Sequence, residues 1–403
     1  MRPIRARVNA EILKWARLSA GYSQDEAARK ILGTSIPSYQ LARWELGEAQ
    51  PTVKQLIKLA RVYRRPVATF FLSERPGDVA LPHDFRRLPG QVAGTYSPTL
   101  RQQIRAMEER RSIALELLSQ LNDIPEPFPL HANIDYDPEA LAIQIRRFLN
   151  VSFEEQLSWR DSQRYKPLRE WRKHIESVGV LVFQIPDVQT SEMLGLSIAE
   201  PTLPVIAVNR KLRPNGRIFT LLHEFAHLAL RHGGICDLDE FAPRRAEEQP
   251  VEIFCNRVAG AVLVPSSHFL SEPLVRQKGP GRSEWDEEEL VALADRYSVS
   301  REVIIRRLLV FERTTEAFYR RKRGEYAEQI ESLEAKKTEG FESPARKVVS
   351  TLGPAFVGLV LESYSKGAIT LSDVSSYLGT RLKHLPKIER ALGAASVEAR
   401  SIE

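Results

Sequence analysis

The sequence predicts a mainly helical α+β protein: a small all-helical unit, a second domain around a three-stranded sheet, and a C-terminal helical region. Three observations predict this. Apolar residues recur at helical spacing through most of the chain. Short continuous apolar runs, the pattern of buried strands, cluster in one stretch: Gly179 to Ile185, Met193 to Ile198 and Leu203 to Asn209. Directly after them comes Leu221 to Leu230, LLHEFAHLAL, apolar almost all round and therefore expected to be a buried helix.

A chain of 403 residues, 43% hydrophobic and 27% charged, is long enough for two or three globular domains. The net charge of +6 is unevenly placed. Residues 1–75 hold 14 Lys+Arg against 6 Asp+Glu, a balance of +8, and the remainder carries −2. That pattern fits an N-terminal segment that meets a polyanion. No apolar run approaches the roughly 20 residues a membrane helix needs, so no membrane is expected as a partner. The N-terminus, MRPIRARVNAEILKW, has no apolar secretion core. The two cysteines, Cys236 and Cys255, argue for a reducing, cytoplasmic setting without a disulfide framework.

Asn9 to Ala20 has one apolar face: Ile12, Leu13, Trp15, Ala16 and Leu18. Gly21 turns the chain, and Ser23 with Glu26 three residues on forms a capping box. That second helix ends at Gly33. A third, Ser35 to Leu46, carries Pro37 in its first turn and Leu41 and Trp44 inward, and Gly47 closes it. Pro51-Thr52 opens a fourth, with Val53, Leu56, Ile57, Leu59 and Ala60 as its core stripe, and Phe70-Phe71-Leu72 clamps the unit. Two short helices joined by a tight turn, inside a five-helix unit, make a helix-turn-helix. SQDEAARKILG, LARWELGEAQPT and the leucine stripe after them resemble the Cro/CI-type (Xre) DNA-binding domain. That resemblance implies double-stranded DNA as partner and Ser35 to Arg43 as the recognition helix. Ser35, Ser38, Tyr39, Gln40 and Arg43 would face bases or phosphates, and Gln24 would touch the backbone. A two-turn operator would need a homodimer.

Pro/Gly-containing sequence, including His83-Asp84-Phe85-Arg86, then leads to a connecting helix over Pro98 to Leu121. Asp137-Pro138 opens the next helix by cap and first-turn proline, and amphipathic helix continues to Glu176. The three strands follow, then a turn over Asn209 to Gly216. A sheet edge beside the helix after it would accept an extended peptide as an added strand.

His223-Glu224-Phe225-Ala226-His227 is an H-E-x-x-H box. Residues four apart share a helix face, so His223 and His227 can bind one ion together, and Glu224 can take a proton from water beside it. A lone buried His is ordinarily a hydrogen-bonded core residue. Two imidazoles and a carboxylate in a nearly continuous apolar helix are costly to bury without a cation. Gly233 and Gly234 are the expected helix stop. A catalytic zinc takes three protein ligands. The downstream groups are His232, Asp237, Asp239, Glu240, Glu247, Glu248, Glu252 and His268. His232, five residues past His227, points to another face. Glu252 precedes the apolar turns Phe254, Cys255, Val258, Ala259, Val262 and Leu263, so it is the expected third ligand; the alternative is a solvated first-turn acid.

FTLLHEFAHLAL followed by VEIFCNRVAGAVLVP resembles the ImmA/IrrE family of metallopeptidases, which implies a zincin-like domain. In that family the box is followed by a helix reading E-x-x-x-N and a later Leu-x-Pro, here Glu252, Asn256 and Leu263-Val264-Pro265. The resemblance implies His223, His227 and Glu252 as ligands of Zn2+, or of another divalent ion such as Mn2+. It implies Glu224 as general base and Asn256 as a support behind the ligands. It further implies limited proteolysis of an Xre-type repressor as the protein substrate. The other class of reading is a transcriptional or antitoxin-like regulator whose metal domain senses a ligand or partner without proteolysis. His232, His268 and Tyr297 are the available groups for oxyanion stabilisation.

Glu287 to Phe311 reads as a second helix–turn–helix, expected to be a cap on the peptidase core. Phe318 to Thr338 is a charged, solvated helix; Lys347 to Ser363 and Ser372 to Leu378, the latter capped by Ser372, are apolar helices of unread role. The expected divisions are 1–76 DNA-binding, 77–135 linker with connecting helix, 136–312 metallopeptidase and 313–403 C-terminal helices.

Overall fold

The computed structural model describes residues 4–33, 39–76, 83–84, 96–159, 165–236, 248–278, 284–334 and 342–397. The chain divides into two compact units, one of residues 1–81 and 90–109, the other of 82–89 and 110–403.

The first unit contains α1 (Ala10–Ser19), α2 (Gln24–Leu32), α3 (Tyr39–Glu45), α4 (Val53–Tyr63) and a 3-10 turn over Val67–Phe71. The expected capping box of Ser23 with Glu26 forms, and Thr52, at the expected start of α4, closes a second one with Gln55. Ile12, Leu13, Ala16, Leu41, Trp44, Leu56, Leu59, Tyr63 and Phe70 are the core. The stripe of α4 is narrower than expected. Leu56, Leu59, Ala60 and Tyr63 follow i, i+3, i+4, i+7, whereas Ile57, one residue off that row, and Val53 in the first turn are exposed. Leu18, Phe71 and Leu72 are also exposed. The apolar pattern gave no hint of a buried ion pair: Arg17 binds Glu45 through two hydrogen bonds, 2.7 and 2.9 Å, and donates to the Tyr22 carbonyl.

The short strand β1 (His83–Asp84) belongs to the second unit, and α5 (Pro98–Gln120) contributes residues to both. Then come α6 (Pro138–Phe148), α7 (Phe153–Ser158), α8 (Lys166–Ser177), β2 (Leu181–Ile185), β3 (Gly195–Ile198), β4 (Val205–Asn209) and α9 (Pro214–Ala229). Asp137 caps α6, accepting from the Glu139 and Ala140 N–H groups, with Pro138 at its start. The three expected strands form, and β5 (Gly234–Cys236) and β1 extend them into the order β1-β5-β3-β4-β2. Pairs β2–β4 and β1–β5 are parallel; β3–β4 and β3–β5 are antiparallel. β2, β3 and β4 are buried at every position, which is why they read as continuous apolar runs rather than alternations. α9 packs on β3 and β4, with α8 and the later helix α10 (Glu248–Leu263) against it.

The expected glycine stop of α9 is not used. Leu230 is the cap and Arg231, at φ 55, takes the left-handed conformation, with the His232 N–H on the His227 carbonyl and the Arg231 N–H on that of Leu228. Gly233 serves another end. A Cβ there would fall 2.7 Å from the Ala199 nitrogen, so the bare backbone lets the chain return to the sheet, where Gly234 begins β5.

After α10 follow α11 (Ser266–Ser271), α12 (Pro273–Lys278), α13 (Glu287–Tyr297), α14 (Arg301–Val310) and α15 (Glu316–Glu334). α14 sinks Val303, Ile304, Ile305 and Leu308 into the core and packs on α10, as a cap should. α15 is not wholly solvated: Phe318, Tyr319 and Tyr326 are buried.

The last helices are α16 (Pro344–Leu352), α17 (Pro354–Ser365), α18 (Leu371–Tyr377) and α19 (Leu385–Val397). The single helix expected over Lys347 to Ser363 is two, bent by 106°. Gly353 at φ 90 and Pro354, which lacks an N–H, break it. The junction docks on α8 and β2. Arg172 donates to the Ser350 carbonyl at 2.6 Å, Glu176 accepts from the Ala355 N–H at 3.2 Å, and Phe183 meets Phe356 edge-on at 5.9 Å. Thr370, not Ser372, caps α18, because its hydroxyl and Asp373 close a capping box two residues earlier. Among the described residues no single helix is long and apolar enough to cross a membrane.

Candidate metal centre

His223 and His227 lie four residues apart on α9, a helix buried along nearly its whole length. They face α10, which presents Glu252 from its first turns. All three side chains are fully buried. The two Nε2 atoms are 3.1 Å apart, Glu252 Oε1 is 3.1 Å from Nε2 of His227, and Oε2 is 3.4 Å from Nε2 of His223. These ligand atoms all lie within 4.8 Å of one another. A tetrahedral ion with bonds of about 2.0–2.1 Å sets its donors roughly 3.3 Å apart, so two imidazole nitrogens and a carboxylate oxygen at these separations fit a zinc-type ion. Burial pushes the Glu252 carboxyl pKa up, but the two imidazoles outweigh burial and hold it well below the usual range, so it is a carboxylate.

The other ring nitrogen of His223, Nδ1, is 3.0 Å from Oδ1 of Asn256, one helical turn after Glu252 on α10. An amide oxygen accepts only, so Nδ1 carries the proton and Nε2 offers its lone pair toward Glu252 and His227. Cys255 is buried between these residues, and burial pushes its thiol pKa up, so it sits there as a neutral thiol.

Glu224 is buried beside β3. A Cβ at Gly195 would fall 2.2 Å from Glu224 Oε1 and 2.5 Å from the Thr220 methyl. Glycine at 195 therefore creates the space the carboxylate occupies. Sequence reasoning missed it, although an isolated glycine in a strand pattern marks a close approach. Also missed was the anchoring of α10. Arg146 donates to the Val262 carbonyl at 2.7 Å, Gln156 to Leu263 at 2.9 Å and Arg307 to Val264 at 3.0 Å. Three side chains from three other helices satisfy the carbonyls that end the ligand-bearing helix. Arg307 is itself held by Glu139 at 2.6 and 3.1 Å. Burial lowers the Arg146 pKa to about 10, which leaves it charged at neutral pH.

The remaining groups are placed elsewhere. His232 is exposed and holds the Leu230 carbonyl through Nδ1 at 2.7 Å. His268 stacks on Phe153, and the Tyr297 hydroxyl donates to Glu272 at 3.0 Å. Asp237, Asp239, Glu240 and Glu247 lie outside the described residues. The flank of β3 that would take an added peptide strand is already paired: Gly195 opposes Cys236 and Leu196 opposes Ile235 of β5, and His83–Asp84 pairs beyond β5. β5 is a continuation of the chain just after α9, a local return that apolar patterning could not reveal.

In the first unit, Tyr39 and Arg43 are exposed on α3, Gln40 is half-buried, and Arg43 approaches Glu48 at 3.5 Å. Gln24 donates to Glu45 at 3.1 Å, on the outer side of the Arg17–Glu45 pair, so its amide is already engaged. Ser35 and Ser38, with Pro37, lie outside the described residues.

No curated protein matches the chain. The match of residues 175–309 to a family model takes in β2 to β5, α9, α10 and the α13–α14 cap, and that of residues 13–70 takes in α2 to α4. The first is the model of the IrrE N-terminal-like domain and the second that of the helix-turn-helix, so this chain joins a Cro/CI-type DNA-binding domain to a metallopeptidase-type domain.

Proposed function

We propose that the protein is a DNA-binding regulator that hydrolyses a peptide bond in a partner protein, an Xre-type repressor, with zinc held by His223, His227 and Glu252. The observation that carries this reading is the convergence of those three donors, from two packed helices, beside the buried carboxylate of Glu224. A bound zinc ion would supply Lewis acidity and lower the pKa of its water toward about 7. Glu224 takes the proton from the attacking water and passes it to the leaving amine. Asn256 fixes the His223 ring, and Gly195 leaves Glu224 room to sit against β3. Glu252 brings one negative charge to the ligand set. The first unit carries the chain to DNA, with Tyr39, Gln40 and Arg43 on α3 as the described contact residues. Ser35 and Ser38 belong to the same proposed surface, and Gln24 to its edge.

The test pairs the purified chain with candidate Xre-type repressors from the same genome, with and without Glu224→Gln. Cleavage by the parent, loss of cleavage in the variant and unchanged bound zinc support the reading. Equal cleavage by the variant ends it. The covered flank of β3 favours a second reading, a metal-dependent sensor that does not cut. It predicts operator binding altered by His223→Ala, untouched by Glu224→Gln, with the repressor intact.

A further inference from the structure

The C-terminal helices contain an arrangement like that of the first domain. α18 opens on Thr370, whose hydroxyl accepts from the Asp373 N–H while the Asp373 carboxylate accepts from the Thr370 N–H. α2 opens the same way, with Ser23 and Glu26. α18 ends in a four-residue turn, 378–381, where Gly379 takes φ 58, a conformation a side chain would strain. A 3-10 turn over Leu382–His384 then runs into α19. Two short helices joined by a three- to four-residue glycine turn constitute a helix-turn-helix.

The inner side of this pair is apolar. Val374, Leu378, Leu385 and Ile388 are buried, and α16 and α17 pack against α19. The outer side is basic. Lys387 and Arg390, three apart, share one face of α19, Lys383 precedes them in the 3-10 turn, and all three are exposed, as is Arg381 just before them. Glu389 is the one acid between positions 380 and 390. None of the four cations forms an ion pair among the described residues; Arg390 donates to the Pro386 carbonyl. This local excess is not background, because the chain beyond residue 75 carries a net −2.

The same chain holds a contrasting case. α13 and α14 are also joined by a short turn, with Ser298 at φ 54. There the second helix spends its cations inward. Arg306 and Arg307 are 3% and 1% exposed, Arg307 is bound to Glu139, and Arg301 pairs with Glu287. That pair has no cationic face to offer, whereas α19 keeps its cations in solvent.

We infer that α18 and α19 form a second helix-turn-helix, which binds the phosphates of duplex DNA through the Lys383, Lys387 and Arg390 face. The inference is independent of any proteolysis. It gives one chain two DNA-binding elements, so a monomer could hold two duplex segments.

The test titrates the full-length protein against a fluorescent duplex of arbitrary sequence over a range of salt. A K383Q/K387Q/R390Q variant should lower the slope of log Kobs against log salt by about 2–3 and weaken low-salt binding about tenfold or more. The K383R/K387R variant, which keeps the charge, should bind as the parent does. Sedimentation at low salt should show two short duplexes bound per parent chain and one per chain of the Gln variant. An unchanged slope and affinity in the Gln variant overturns the inference. So does an equal loss in the Arg variant, since the charge is then not what binds.

Discussion

Nδ1 of His223 and Oδ1 of Asn256 meet at 3.0 Å across the α9–α10 junction, both side chains fully buried. The bond fixes ring orientation and proton position in the ring that faces Glu252. Partners of this kind are worth about 10–100-fold in metal affinity. Asn256→Leu is expected to weaken zinc binding by that order, read by competition with a chromophoric chelator. Parent-like affinity would mean that packing alone orients the ring.

Gly195 and Glu224 give a prediction that needs no substrate. An alanine methyl at 195 overlaps Glu224 Oε1 and the Thr220 methyl, and overpacking of this kind costs about 1–3 kcal/mol. In a Glu224→Ala background the cost should shrink, because one of the two obstructing groups is gone. Denaturant unfolding of the four proteins measures the coupling. Strict additivity would place the carboxylate away from β3. In a cleavage assay Gly195→Ala should also lower the rate, by on the order of 10²-fold for a displaced base, while bound metal is kept.

Arg307 ties the end of α10 to α6. Arg307→Met removes a buried guanidinium, leaves the Val264 carbonyl without that donor, and frees Glu139, whose side chain is 28% exposed. Breaking a fully buried pair costs about 3–5 kcal/mol, and the exposure of Glu139 brings the expected loss to about 2–3 kcal/mol. Arg307→Lys should restore little, since a single ammonium cannot hold both carboxylate oxygens and the carbonyl. A melting temperature unchanged by Arg307→Met would show that this anchor carries no stability.

Glu176 gives the second unit a pH dependence. Its carboxyl is buried where the C-terminal helices dock, and burial raises its pKa above 4.5, against the opposing effects of Arg172 and the Ala355 N–H. The folded state thus binds this proton more tightly than the unfolded state. The resulting stability is present below pH 4.5 and is lost as pH rises through the folded value. Stability of the parent minus that of Glu176→Gln should therefore fall with rising pH in that window and then level off. A difference that rises through the window contradicts the assignment.

The elements legible in the sequence were those written by period and punctuation. The capping box at Ser23, the helix starts at Pro51-Thr52 and Asp137-Pro138 and the apolar runs of β2 to β4 each carry a local signal. His223 and His227 were legible for the same reason, since a helix of known pitch places them together. Glu252 needed a chemical argument, that an acid on an apolar face must have a cation. The Arg17–Glu45 pair, the three side chains on the end of α10 and the docking of Gly353 on α8 were not legible. Each joins residues far apart in the chain, and a surface Arg reads like a buried one until its partner is known. β5 escaped for a related reason. Three residues are too short to show a period.

The pairing of β5 along β3 sets a condition on any peptide that approaches Glu224 as an added strand. Such a visitor competes with a tethered rival that is always at hand and whose backbone already makes the same bonds. Its apparent affinity is its intrinsic affinity scaled by the fraction of time the rival is away. Discrimination between such guests would then begin before any side chain is read, in the free energy needed to part Gly234–Cys236 from β3.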